Sequence, residues 1–163
     1  MNIYDQNGDG ALTKVELQEC PGILRGLLTY DANRDGSVDA VELKSYFETL
    51  YSSEVGLMSA GCTITRSGKP VIGAIVRFIP EAFLGEAIYA AEGITDRSGY
   101  AQIAVPDEKL PASYHGLNMA QVGVYRVEVE TSPGEIAESK SLLGIELNPT
   151  SRQSTNPAFD LAR

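Results

Sequence analysis

Between Gly123 and Glu130 the chain alternates. Tyr125, Val127 and Val129 stand against Arg126, Glu128 and Glu130. A period of two puts one set on a buried face and the other on a wet face, as in a half-buried antiparallel strand. Gly73 to Pro80 repeats the pattern, with Ala74, Val76 and Phe78 on one side and Arg77 on the other. Ser59 to Arg66 does so with Cys62 and Ile64 facing one way. Glu92 to Thr95 runs into Asp96-Arg97-Ser98-Gly99, which reads as a hairpin turn. Tyr100 to Val105 then returns with Ile103 and Val105 inward. Two further strands fall near Leu142 to Leu147 and Ala158 to Ala162, and Ser67–Pro70 and Thr131–Gly134 are turns. Pro106 to Gly116 is a loop, and Glu81 to Ala90 fits either a helical turn or an irregular excursion. The polar run Ser151 to Pro157 is expected to be mobile. About seven short strands with turn signals between them predict a Greek-key β-sandwich.

The first 54 residues have a different period. Ile23, Leu24, Leu27 and Leu28 recur at helical spacing, and Leu43, Phe47, Leu50 and Tyr51 share one helix face. Lys14 to Cys20 reads as a short helix that Pro21-Gly22 should stop. The expected class is therefore α+β. A helical region at 1–54 closes with a linker at Ser52 to Glu54, and a sandwich follows at 55–163.

Within the helical region a twelve-residue pattern occurs twice, as Asp5-Gln-Asn-Gly-Asp-Gly-Ala-Leu-Thr-Lys-Val-Glu16 and as Asp31-Ala-Asn-Arg-Asp-Gly-Ser-Val-Asp-Ala-Val-Glu42. Oxygen-bearing side chains fall at positions 1, 3 and 5, a glycine at 6 and a glutamate at 12, which is the layout of an EF-hand calcium loop. The expected ligands in the first loop are Asp5, Asn7 and Asp9 by side chain and Ala11 by its carbonyl. Thr13 would act directly or through water, and Glu16 through both oxygens. In the second loop they are Asp31, Asn33, Asp35, the Ser37 carbonyl, Asp39 and Glu42. All are hard oxygen donors, and a bidentate glutamate favours calcium over magnesium. The first loop carries three carboxylates and the second four, so charge count predicts tighter binding in the second. Leu12 and Val38, both at position 8, should pair and couple the two loops.

The formal net charge of −9 argues against nucleic acid or an anionic membrane as partner. Ten acids against four bases lie in residues 1–54, so the acidity concentrates where two calcium ions would partly neutralise it. No run of apolar residues is long enough for a transmembrane helix. Only Met1 to Tyr4 precede the first loop, too few for a full entering helix, and the chain is expected to be a piece of a longer protein. Cys20 and Cys62 leave two readings open, a single disulfide or two buried thiols. Met1, Met58 and Met119 all lie off the expected loop-flanking helices. A calcium sensor should expose a Met-rich groove, so structural calcium is favoured over a sensor.

Three phrases carry a family resemblance. They are Gly68-Lys-Pro-Val-Ile-Gly-Ala-Ile-Val-Arg-Phe-Ile-Pro80, Gly93-Ile-Thr-Asp-Arg-Ser-Gly-Tyr100 and Gly123-Val-Tyr-Arg-Val-Glu-Val129. In this order and spacing they resemble the carboxypeptidase regulatory-like domains, which implies a seven-stranded transthyretin-like sandwich over most of residues 60–130. The first part resembles the EF-hand pairs of bacterial dockerin-like and calcium-sensor-like families, with a shorter spacing between loops. An EF-hand pair joined to such a sandwich is similar to exported, often lipid-anchored proteins of planctomycete-type bacteria. That implies an extracytoplasmic, calcium-dependent setting.

The same sandwich hosts the hydroxyisourate hydrolases, which need a His and Arg cluster and a C-terminal Tyr-Arg-Gly-Ser. This chain has the single histidine His115 and ends Phe159-Asp-Leu-Ala-Arg163. It shows no nucleophile triad, phosphate loop or zinc spacing, and Glu128/Glu130 read as solvated acids rather than a glycosidase pair. The expectation is a non-catalytic module whose sandwich serves binding or cell-surface assembly, with a protein or polysaccharide as partner. A calcium sensor and an accessory domain of a larger extracellular hydrolase are the alternatives.

Overall fold

The computed structural model describes residues 3–52, 56–137, 143–151 and 156–162. The expected linker residues Ser53 and Glu54, the start of the strand at Leu142 and residues 152–155 of the polar run lie outside the described residues. The fold is mixed, with few helices and many strands in several sheets.

The N-terminal part opens with strand β1 (Ala11–Thr13) in the first loop and continues into a 3-10 turn at Glu16–Glu19. Helices α1 (Pro21–Arg25) and α2 (Leu27–Tyr30) follow, then strand β2 (Ser37–Asp39) in the second loop and helix α3 (Ala40–Tyr51). Pro21 does not stop a helix here. It starts α1 at the first helical position, where its fixed φ suits the helix and its missing N–H is not needed. Gly26 splits the expected single helix in two, and only one 3-10 turn forms where a longer exit helix was expected. Strands β1 and β2 pair antiparallel, with Leu12 opposite Val38 as expected.

Among the described residues the β-rich part has two larger sheets. One joins β6 (Ile75–Pro80), β7 (Ala91–Ile94), β10 (Gly123–Ser132), β11 (Glu135–Ile136) and β12 (Gly144–Leu147). Its spine is the β6–β10 pairing from Tyr125↔Pro80 to Glu130↔Ile75. The other sheet joins β4 (Ala60–Arg66), β5 (Lys69–Pro70), β8 (Tyr100–Ile103) and β13 (Ala158–Leu161), with β13 parallel to β4. A two-stranded pair of β3 (Leu57–Met58) and β9 (Ala120–Gln121) adds to these. The inward side chains of both sheets, Cys62, Ile64, Val76, Phe78, Ile103, Tyr125, Val127 and Phe159 among them, form one buried cluster.

The turn Asp96 to Gly99 closes as expected, with the Gly99 amide donating to the Asp96 carbonyl. Its flanks are not one hairpin. β7 pairs with β6 in one sheet and β8 with β4 in the other, and only an isolated Glu92↔Ala104 bridge joins them. Glycine at position 93 lets the crossing backbones meet, since a Cβ there would lie 2.0 Å from the Gln102 carbonyl oxygen. Cys20 and Cys62 are both free and buried, in two different clusters, so the disulfide alternative falls away. Among the described residues no helix is long and apolar enough to cross a membrane.

Candidate metal centre

In each loop the acidic side chains first organise their own backbone. Asp5 accepts from the Gly8 amide at 2.7 Å through Oδ1 and from the Gly10 amide at 3.0 Å through Oδ2. Asp31 accepts from the Asp35 and Gly36 amides at 3.1 and 2.9 Å. The glycine at position 6 takes φ of +86° in loop one and +92° in loop two, a region that L side chains avoid. Asn7 and Asn33 receive the amides of Asp9 and Asp35. Asp9 and Asp35 receive those of Ala11 and Ser37.

The closing glutamates fold back across the loops. Glu16 Oε1 accepts from the Gln6 amide at 3.0 Å, and its Oε2 accepts from the Thr13 amide and hydroxyl at 2.9 and 2.8 Å. Glu42 Oε1 accepts from the amides of Ala32 and Asn33 at 3.0 and 3.1 Å, and its Oε2 from that of Asp39 at 3.0 Å. The bonds from Thr13 hold the Glu16 carboxyl below the usual carboxylate range. The Ser37 hydroxyl and amide do the same for Asp35. These side chains are thus kept ionised and turned inward.

The side chains expected at positions 1, 3, 5 and 12 are bonded within each loop by this ladder, whereas Asp39 at position 9 of loop two turns to the amides of Val41 and Glu42. Ala11 and Ser37 lie in the paired strands, where backbone carbonyls are ordered. Among the described residues, no three His, Cys, Asp or Glu side chains converge as a metal cluster. The donor set still suits a hard cation, because every group is an oxygen and each carboxylate keeps lone pairs beyond those its amides use. Among the described residues, the acids are oriented by backbone amides and are not neutralised by a basic side chain at either loop.

Residues 1–21 and 27–47 match the EF hand family. The two loops are an EF-hand pair. The match supports a calcium-binding module and spans both twelve-residue patterns. No curated protein matches the chain, and no solved structure does.

The EF-hand pair is built into the β-rich part, which the period of the sequence alone did not reveal. Its buried cluster of Tyr4, Leu12, Leu17, Cys20, Ile23, Leu27, Tyr30, Val38 and Leu43 includes Val124 of β10. The face of β10 that was expected to be wet is therefore dry at this end. Glycine at two positions lets α1 approach β12 and β10 closely. A Cβ on Gly144 would stand 2.2 Å from the Gly22 nitrogen, and one on Gly22 would stand 2.4 Å from a Val124 methyl.

Two Tyr–Glu bonds cross the same junction. The Tyr4 hydroxyl donates to Glu81 Oε2 at 2.7 Å, and that of Tyr46 donates to Glu146 Oε1 at 2.6 Å. Glu81 is buried, with Arg126 Nη2 at 3.7 Å from the same oxygen. Burial raises the Glu81 carboxyl above its ordinary range, partly offset by Tyr4 and Arg126. Burial, and then the charge of Glu81, pushes the neighbouring Cys20 thiol up to about 12. Glu81 lay in the ambiguous stretch of the sequence, where a lone acid between apolar residues was the available sign. His115 lies in an exposed loop, with Nε2 3.0 Å from the Leu110 carbonyl. Glu130 is bound by Arg77 at 2.6 Å.

Proposed function

We propose that this chain is a non-catalytic calcium-binding module of an exported protein. Two Ca2+ ions, held by the twelve residues named above, fix the EF-hand pair against a transthyretin-like sandwich that serves binding or cell-surface assembly. The calcium neutralises the loop acids and supplies the fixed centre around which each loop closes. The chain's own residues do the rest. Asp5 and Asp31 hold the tight turns, and Glu16 and Glu42 draw the far end of each loop over the near end. Leu12 and Val38 carry order from one loop to the other.

The observation that carries this reading is the shared core. With Val124 inside the EF-hand cluster, Ile23, Leu27 and Leu43 of the helices are already buried, whereas Leu28, expected on the same face, stays exposed. That supports an ion that stabilises a fixed assembly over one that opens a groove, and Met58 and Met119 lie in the β-rich part. Ligand linkage predicts that calcium at about a thousand times its dissociation constant adds about 4 kcal/mol. Melts with calcium and with excess chelator should therefore differ by several degrees, and superimposed melts overturn the reading. Calorimetric titration of Glu16→Gln and Glu42→Gln should each remove one binding event, the larger loss of affinity belonging to Glu42→Gln.

One observation favours a second reading, in which calcium governs a partner contact on the EF-hand face. Val15 and Val41, both at position 11 of their loops, are exposed at 72% and 75%. Calcium-dependent binding of a hydrophobic dye, lost on Val15→Ser with Val41→Ser, would support it.

A further inference from the structure

A cleft of about 450 Å³ opens at the junction, between α1, α3 and the end of β12, away from both calcium loops. Arg25, Thr29, Tyr46, Thr49, Glu146 and Asn148 line it. Glu146 is on the face of β12 opposite Ile145 and Leu147, which are buried in the sheet core, and so points toward the helices. We propose that this cleft binds a primary ammonium group, with the Glu146 carboxylate as its counter-ion.

The charge pattern of the site carries this. The contacts of Glu146 are neutral donors, the Tyr46 hydroxyl at 2.6 Å and the Asn148 amide at 3.5 Å. Asn148 also donates to the Tyr46 hydroxyl at 3.0 Å, which sets the direction of that hydroxyl's own proton. Among the described residues no cation pairs with Glu146. Arg25 lines the same cleft yet is engaged elsewhere. Its guanidinium lies 4.9 Å from the centre of the Phe159 ring, and Nη1 is 3.5 Å from the Gly144 carbonyl. A partly buried carboxylate held by neutral donors is oriented but has no charged partner, and a bound cation would offset the cost of its burial.

The rest of the lining selects the kind of cation. No three acidic, His or Cys side chains gather here among the described residues, so a divalent metal lacks ligands. A quaternary ammonium needs an aromatic cage, and Tyr46 is the cleft's single ring. A primary ammonium has three donors, and the cleft offers acceptors around the carboxylate in the hydroxyls of Thr29, Thr49, Thr150 and Ser151. The ammonium could belong to a free small amine or to a lysine side chain, and the cleft is large enough for either.

The test uses the calcium-saturated chain, so that amines do not compete at the loops. Amide NMR shifts are followed while n-butylamine, n-butanol or Nα-acetyl-lysine methylamide is added. The expected result is saturable shifts at Tyr46, Thr49, Glu146 and Thr150 with the two amines and none with the alcohol. Affinity should fall about tenfold or more in Glu146→Gln. Thr49→Trp fills the mouth of the cleft and leaves the Tyr46–Glu146 bond in place, so it should block binding even if Glu146→Gln folds poorly. Tighter binding of the lysine amide assigns the site to a peptide side chain, and tighter binding of butylamine assigns it to a free amine. Equal shifts with butanol overturn the proposal, as do amine shifts that persist in Thr49→Trp or stay confined to the calcium loops. Loss of calcium stabilisation would leave this result standing, so the two readings fail separately.

Discussion

The two calcium loops share one hydrogen-bond ladder and differ in what holds it up. Loop two is followed by the twelve-residue helix α3, whose N-terminus is closed by a reciprocal capping box. Asp39 accepts from the amides of Val41 and Glu42, both at 2.8 Å, and Glu42 accepts from the amide of Asp39. Positions 9 and 12, both expected ligands, thus also close the start of the helix. Loop one has Thr13 at the matching place, whose hydroxyl accepts from the Glu16 amide only at 3.5 Å, and a four-residue 3-10 turn after it. Its support comes from outside, through Tyr4 beside Asp5, bonded to buried Glu81 of the β-rich part. Loop two is stiffened by its own helix, which Tyr46 in turn ties to the β-rich part, and loop one by its neighbour directly, so the same twelve-residue pattern need not give the same site.

The strongest way to break this contrast is to pry the two parts from each other. Gly144→Ala places a methyl against the backbone of Pro21 and Gly22, with no flexible side chain to give way. The expected loss is about 3 kcal/mol by denaturant unfolding. Loop one should lose calcium affinity more than loop two; equal losses would remove the distinction. A narrower cut is Tyr4→Phe, which takes one hydrogen bond from a buried carboxylate and should cost about 2 kcal/mol. Calorimetry should then show weaker binding in the first loop alone, with Glu42→Gln as background to isolate it.

The converse test sits in loop two. Measured in chelator, Asp39→Ala should cost about 1 kcal/mol through the lost cap, and Thr13→Ala clearly less. The smallest expected effect is a slope with pH. Glu81 is raised by burial, facing Tyr4, Cys20 and Arg126, so the folded state holds its proton more tightly than the unfolded chain does. Its contribution to stability is therefore full below the ordinary carboxylate range and is lost as pH rises through the raised value. Glu81→Gln should gain on the parent in melting temperature as pH goes from acid to neutral, and parallel curves would place the carboxyl in water.

Much of this was legible in the chain. The two repeated loops, the Leu12–Val38 contact and the seven longer strands follow from periods of twelve, 3.6 and two. What stayed hidden involves contacts between distant segments. Val124 sits at a position that alternation marks as wet, and it is dry because α1 covers it. Pro21 has the residue type of a helix stop and acts as a helix start, because a chain break and a first turn ask the same thing of φ. The Asp96 turn was visible, but no local signal says that its two arms enter different sheets. Glu81 and Glu146 are ordinary acids until a tyrosine 77 or 100 residues away in the chain is brought to each.

Among the described residues β12 pairs with β10 alone, and α1 lies along its other side. A terminal strand left bare is a template for pairing with another molecule. The helix pressed there by Gly22 and Gly144 therefore acts as a guard against self-association. Calcium, by keeping the loops at either end of that helix in shape, would protect solubility as well as form. A chelated preparation should form assemblies seeded from this strand well before it unfolds elsewhere.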